Sequence, residues 1–177
     1  GRTTLNGEGL QHQDGHSLLQ ASVIPNILAY DPAFNYEIAV IIQNGIERMY
    51  KNNEDILYYL TLENENYKHL SMPKGAKDGI IKGMYLLKEG PKKELKVQLF
   101  GSGSIINEVL NAASILLEDW GISSDIWSIT SYSELRRDGE EIYRYNRLHP
   151  EEEDKLPYIY KTLLKYDGPI IAVSDYV

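Results

Sequence analysis

The sequence predicts an α/β fold built from two parallel-sheet units, and three observations carry that expectation. Short β-branched or aromatic runs alternate with amphipathic stretches at helical spacing, the grammar of βαβ units. The grammar starts twice, before residue 63 and again after residue 95, and Pro73, Gly75, Gly79, Gly83, Gly90 and Pro91 punctuate the span between. Finally, 177 residues with 42% hydrophobic and 25% charged side chains are enough to bury a sizeable core.

Residues 1–20 are rich in Gly, Thr, Asn and Gln and show no period. They read as a long loop, a kind of segment that usually carries function. Residues 22–30 (SVIPNILAY) read as a short buried strand interrupted by Pro25. Asn35 is expected to cap a helix over residues 36–50, where Tyr36, Ala39, Val40, Ile46, Met49 and Tyr50 recur near three and four. Residues 56–62 (ILYYLTL) are apolar and aromatic throughout, the signature of a strand covered on both faces. The following span reads mainly as a connection, with residues 80–87 a short strand or a turn of helix. The expected division is residues 1–73 for the first unit, 74–94 for a linker and 95–177 for the second unit.

The second unit opens with a strand at residues 95–100 and a Gly101-Ser102-Gly103-Ser104 turn into a helix. Ile106, Val109, Leu110, Ala113, Leu116, Leu117 and Trp120 form the stripe of that helix. Ser102 or Ser104 is expected to cap its start and Gly121 to end it. A strand at 125–129, a helix from Ser133, a helix over 157–166 and a strand at 170–173 complete the pattern.

Composition excludes several functions. Eighteen basic against 26 acidic residues leave a net charge of −8, which argues against a nucleic-acid partner. With no cysteine, this chain has no disulfide, thiolate metal site or cysteine nucleophile. No apolar run approaches the roughly 20 residues that span a bilayer, and no signal-peptide pattern opens the chain. A cytoplasmic protein without membrane attachment is therefore expected. A start at Gly1 and a stop just after an apolar run suggest a piece of a longer protein.

Four polar groups in the opening loop, Glu8, His12, Asp14 and His16, fall within nine residues. Carboxylates and imidazoles at such spacing can bind a divalent cation, and a histidine there can act as an acid, a base or a hydrogen-bond donor. They can equally be turn-capping groups, and the pattern alone leaves all three readings open. The Gly-Ser-Gly-Ser turn suits an anion at a helix start, yet it lacks both the third glycine of GxGxxG and the lysine of a P-loop. A tight strand-to-helix turn is the expected role. The 14 tyrosines read as core edges, and the acidic run 151–154 as a solvated helix start.

Read as strings, GRTTLNGEGLQHQDGHS at 1–17, LTLENENY at 60–67 and the Gly-Ser-Gly-Ser turn before a helix carrying Ala112-Ala113 resemble one family. This is the homodimeric bacterial pyruvate dehydrogenases, thiamine-diphosphate-dependent enzymes of the transketolase superfamily. The resemblance runs over essentially the whole chain, including Ser128-Ile129-Thr130-Ser131 and Leu148-His149-Pro150. It implies the end of a pyrimidine-binding middle domain followed by a truncated transketolase C-terminal-like domain. It also implies that His12, in the GLQH string, acts as a donor or proton relay at the oxygens of pyruvate, with Glu8 a second active-centre residue. Asp14 and His16 would support the loop.

On this resemblance the cofactors are thiamine diphosphate and Mg²⁺, the metal being held by a different domain, so no metal ligand is expected here. The implied partners are a second copy of the enzyme and the dihydrolipoamide acetyltransferase component, which receives the acetyl unit. The chain departs from the full pattern. The GDG…N motif is absent, because Asp138-Gly139 lacks the flanking glycine, and the activating glutamate would precede Gly1. The isolated chain is therefore expected to be inactive. A transketolase or another 2-oxo acid dehydrogenase is the alternative, although transketolases carry a proline after the His-Gln pair where Asp14-Gly15-His16 stands here. A non-catalytic dimerisation module is the other.

Overall fold

The computed structural model describes Thr4 and residues 9–176. Glu8 lies outside the described residues. The elements run α1 (Ser17–Ser22), β1 (Ile27–Tyr30), α2 (Asn35–Ile46), β2 (Leu57–Leu60), α3 (Lys77–Lys82) and β3 (Tyr85–Lys88). They continue with β4 (Lys96–Gly101), α4 (Ile106–Trp120), β5 (Ser123–Ser128), α5 (Tyr132–Leu148), α6 (Tyr158–Leu163) and β6 (Ile170–Val173). The architecture is α/β with two parallel arrays: β1 pairs with β2, and β3-β5-β4-β6 form a second sheet in which only β3 is antiparallel.

Local chemistry explains most of the boundaries. Residues 23–26 form a turn rather than strand, because α1 runs up to Ser22 and Pro25 has no N–H for a ladder. In α2 the expected cap shifts by one residue: Phe34 is the N-cap, and Asn35 donates its N–H to His69 Nδ1 at 3.0 Å. The helix continues through a π-helical turn over Glu47–Lys51. Gly121 (φ +66°) ends α4 as expected, with its N–H on the Leu117 carbonyl. Ser131 caps α5, accepting the Glu134 N–H at 3.0 Å. The acidic residues 151–154 lie in the turn between α5 and α6, since α6 begins only after Pro157, where Asp138 accepts the Tyr158 N–H.

Side chains of the four-stranded sheet alternate between two layers, as strand geometry requires. Tyr85, Leu87, Leu99 and Ile126 face α3 and α4 through Ile80, Ile106 and Val109. Met84, Phe100 and Trp127 face α5 and α6, against Leu135 and Tyr158. The first cluster does not stop at the sheet, because Leu28, Tyr30, Phe34 and Ile41 of the first unit belong to it. One core thus joins both units.

The strand expected to be covered on both faces, over residues 56–62, is not, and β6 is open as well. Leu57 is 57% and Tyr59 38% exposed on β2, and all four residues of β6 are exposed. Each is an edge strand with a neighbour on one side only. A continuous apolar run reports burial wanted, and this chain leaves the outer side of each strand open. Among the described residues no helix is long and apolar enough to cross a membrane.

Candidate functional site

The opening loop is ordered from its own backbone outward. His12 closes a 3₁₀ turn over Leu10–His12, its N–H on the Gly9 carbonyl at 3.0 Å, and its side chain is exposed. Asp14 then fixes the entry to α1, accepting the backbone N–H groups of His16 (3.1 Å) and Ser17 (3.0 Å) and the Ser17 hydroxyl (2.5 Å). That is the capping geometry an aspartate adopts before a helix. His16 occupies the N-cap position and makes no side-chain cap bond. The structure therefore puts His12, Asp14 and His16 on consecutive turns, with Asp14 as the anchor.

The donor atoms of these three residues do not converge on a metal-sized point. Among the described residues, the one such set of three within 4.8 Å is His149, Glu151 and Glu152, on the surface after α5. There the Tyr145 ring lies against His149, tilted by 33° with centroids 4.3 Å apart, and the Lys155 ammonium sits 3.2 Å from the centre of the Tyr145 ring. A fixed ammonium beside the cluster opposes a second cation.

Asp31, a residue the sequence reading passed over, organises the carboxyl end of β1. It is 3% exposed; its N–H donates to the Thr130 carbonyl at 2.8 Å, and its carbonyl accepts the Gly103 N–H at 3.1 Å. The Thr61 hydroxyl donates to its carboxylate. Both carboxylate oxygens press on Gly103 so closely that a Cβ there would meet them at 2.9 Å. The Gly-Ser-Gly-Ser turn, suited to an external anion, thus packs against an internal one. Ser102 and Ser104 do not cap α4, as had been expected of one of them: a 3₁₀ turn over Gly103–Ile105 leads into the helix, and their hydroxyls are buried without a hydrogen bond among the described residues.

A cavity of about 370 Å³ opens beside Asp31, between Leu18 and Leu19 of α1, Tyr132 and Arg136 of α5, and Ser174 beyond β6. It sits at the carboxyl ends of parallel strands, the usual place for ligands in open α/β sheets. Burial, and then the charge of Asp31, push the Tyr132 phenol up to about 12. The opening loop feeds directly into α1, one wall of this cavity.

The second buried carboxylate is Glu37, at the third position of α2 and fully enclosed. Burial raises its pKa, and hydrogen bonds from Ser128, Tyr85, Phe34 and Ala33 partly offset the rise. A signal for it does exist in sequence: a glutamate three residues after a helix cap is half of a capping box.

Comparison with known proteins matches two family models in the same order as the two units. Residues 1–70 match the pyruvate dehydrogenase E1 component middle domain, and residues 83–177 the transketolase-like TK C-terminal domain. Proteins named pyruvate dehydrogenase E1 component are similar over the whole chain, at 55% identity in Pseudomonas aeruginosa and 52% in Escherichia coli. The chain spans about 20% of the length of these curated relatives. Among solved structures, a Campylobacter jejuni transketolase is 27% identical with a TM-score of 0.61, over 94% of this chain and 22% of that one. A Pichia stipitis transketolase mutant, 22% identical, shares the fold with a TM-score of 0.64 over 94% of this chain and 21% of its own. The chain therefore belongs to the transketolase-like C-terminal domain family, in the arrangement where that domain follows the middle domain of a pyruvate dehydrogenase E1 component.

Proposed function

We propose that the chain is part of a thiamine-diphosphate-dependent enzyme that oxidatively decarboxylates pyruvate and passes the acetyl unit to the lipoyl group of a dihydrolipoamide acetyltransferase. The observation that carries the proposal is 50–55% identity, over the whole chain, to proteins named pyruvate dehydrogenase E1 component. Residues 1–73 would be the end of the middle domain, 95–177 the start of the C-terminal one, and 74–94 the connection. The longer protein would work in the cytoplasm as a homodimer, with Mg²⁺ held elsewhere in it.

The main cofactor-binding residues would lie in other segments of the longer protein. His12 stands exposed, and the diphosphate-binding GDG…N pattern is missing. When bound, thiamine diphosphate would supply the carbanion chemistry and the electron sink for decarboxylation. What this chain adds is the loop. Asp14 holds the turn, His12 is presented at its outer edge, and the imidazole donates to a substrate oxygen or relays a proton there. Glu8 would be a further active-centre group, and His16 would support the turn.

Three measurements test this. In the longer enzyme, His12→Ala is expected to lower kcat/KM for pyruvate by about 10²–10⁴-fold, the usual worth of a positioned acid or base. An unchanged rate would remove His12 from the site. Calorimetric titration of the isolated chain with thiamine diphosphate and Mg²⁺ should give no binding, and micromolar affinity would overturn the assignment of those sites to other segments. Assay of the longer enzyme with 2-oxoglutarate separates the pyruvate reading from a related 2-oxo acid dehydrogenase.

A further inference from the structure

Glu37 joins two parts of the molecule that chain order keeps apart. Its Oε2 accepts the backbone N–H groups of Ala33 (2.5 Å) and Phe34 (3.0 Å), which lie just before the first turn of α2 and have no intrahelical partner. Its Oε1 accepts the hydroxyls of Tyr85 (2.6 Å) on β3 and Ser128 (2.6 Å) at the end of β5, residues 48 and 91 positions away. The Tyr85 hydroxyl is also hydrogen-bonded to that of Tyr36 at 2.6 Å, so a second residue of α2 ends on the same group. The carboxylate has no solvent exposure.

A carboxylate buried to this degree persists only where donors surround both oxygens. Here each half of the molecule supplies two. If the donors on the second sheet are removed, Oε1 is left bare in a dry site, and the carboxylate can regain hydration only by turning outward. That movement breaks the bonds to Ala33 and Phe34 and opens the start of α2. We propose that Glu37 is a conformational latch: the entry of α2 closes only while Tyr85 and Ser128 are docked on it, so capping in the first unit and docking of the second are one cooperative step. The latch stands apart from the cofactor reading and would operate whatever the longer protein catalyses.

Amide hydrogen exchange on the full chain tests it, with Tyr85→Phe and Ser128→Ala combined. Both substitutions lie on the second sheet, yet exchange at residues 33–38 should accelerate by roughly tenfold or more relative to α4 in the same sample, the scale of one lost hydrogen bond to a charged group. Leu135→Ala, which destabilises the second unit without touching Glu37, should leave that ratio unchanged. The proposal fails if residues 33–38 and α4 accelerate in step in the double variant, or if Leu135→Ala changes the ratio equally. Should the double variant not fold, Ser128→Ala alone is expected to give the same local acceleration at smaller amplitude, and its absence would count equally against the latch.

Discussion

Among the described residues, Asp31, Glu37 and Asp125 are the three carboxylates sealed inside the molecule, and each survives burial by a different arrangement. Asp125 is paired, with the Lys96 ammonium at 2.8 Å and donors from Gly90 and Gln98. Asp31 takes the Thr61 hydroxyl and packs against a glycine turn. Glu37 has four hydrogen-bond donors but no cation among them, so burial dominates and its pKa is raised above the ordinary value. The sign of the stability effect follows. As pH climbs past the unfolded pKa, the unfolded chain ionises at this position before the folded chain does. The contribution of Glu37 is thus fully present below the unfolded pKa and is lost as pH rises through the folded one, at about 1.4 kcal/mol per unit of displacement. Glu37→Gln cannot titrate, so the advantage of wild type over this variant should shrink from pH 4 towards neutrality in urea titrations. A difference independent of pH would show that Glu37 titrates alike in the folded and unfolded states, with no rise on folding.

At the scale of the element, two helix-flanking glycines look equivalent in sequence and are not. Gly103 (φ +50°) and Gly121 (φ +66°) both occupy the left-handed region that disfavours side chains. A Cβ on Gly121 would meet nothing within 4 Å, whereas one on Gly103 would strike both oxygens of a buried carboxylate that Thr61 holds in place. Gly121→Ala should therefore cost about 1 kcal/mol, the backbone penalty alone. Gly103→Ala should cost about 3 kcal/mol, because Asp31 has no room to yield. Urea midpoints at constant slope would measure both, and equal losses would show that Asp31 can move. The elements themselves are legible where local chemistry decides: the α4 stripe, its Gly121 stop and the β6 run are all readable from spacing. The Gly-Ser-Gly-Ser turn is legible as a tight turn, but its neighbour is not, since Asp31 lies 72 residues earlier. Glu37 is likewise readable as a capping residue but not as a contact to β3 and β5.

For the whole molecule the continuity of the core has a measurable consequence. Ile80 of α3 is fully buried in the cluster that holds Ile41 and Phe34 from the first unit and Leu99 and Ile126 from the second. Unfolding should therefore be a single transition, with far-ultraviolet circular dichroism and tryptophan fluorescence superimposing. Trp127 is the useful reporter, 1% exposed and donating its indole N–H to Gln98 at 2.8 Å, while Trp120 is 72% exposed and changes little. Ile80→Ala should shift both probes together by about 2–5 kcal/mol. Two separated transitions would mean that the units fold independently. The α/β class, the twofold restart of its pattern and the loop that identifies the family all follow from residue order, because periodicity, turn chemistry and strings are local properties. The shared core, the internal carboxylate against the glycine turn, the exposed faces of β2 and β6 and the two-sided grip on Glu37 belong to the tertiary structure alone. Each depends on which distant side chains arrive at one point, and a buried charge or an uncovered strand takes its energy from that arrival.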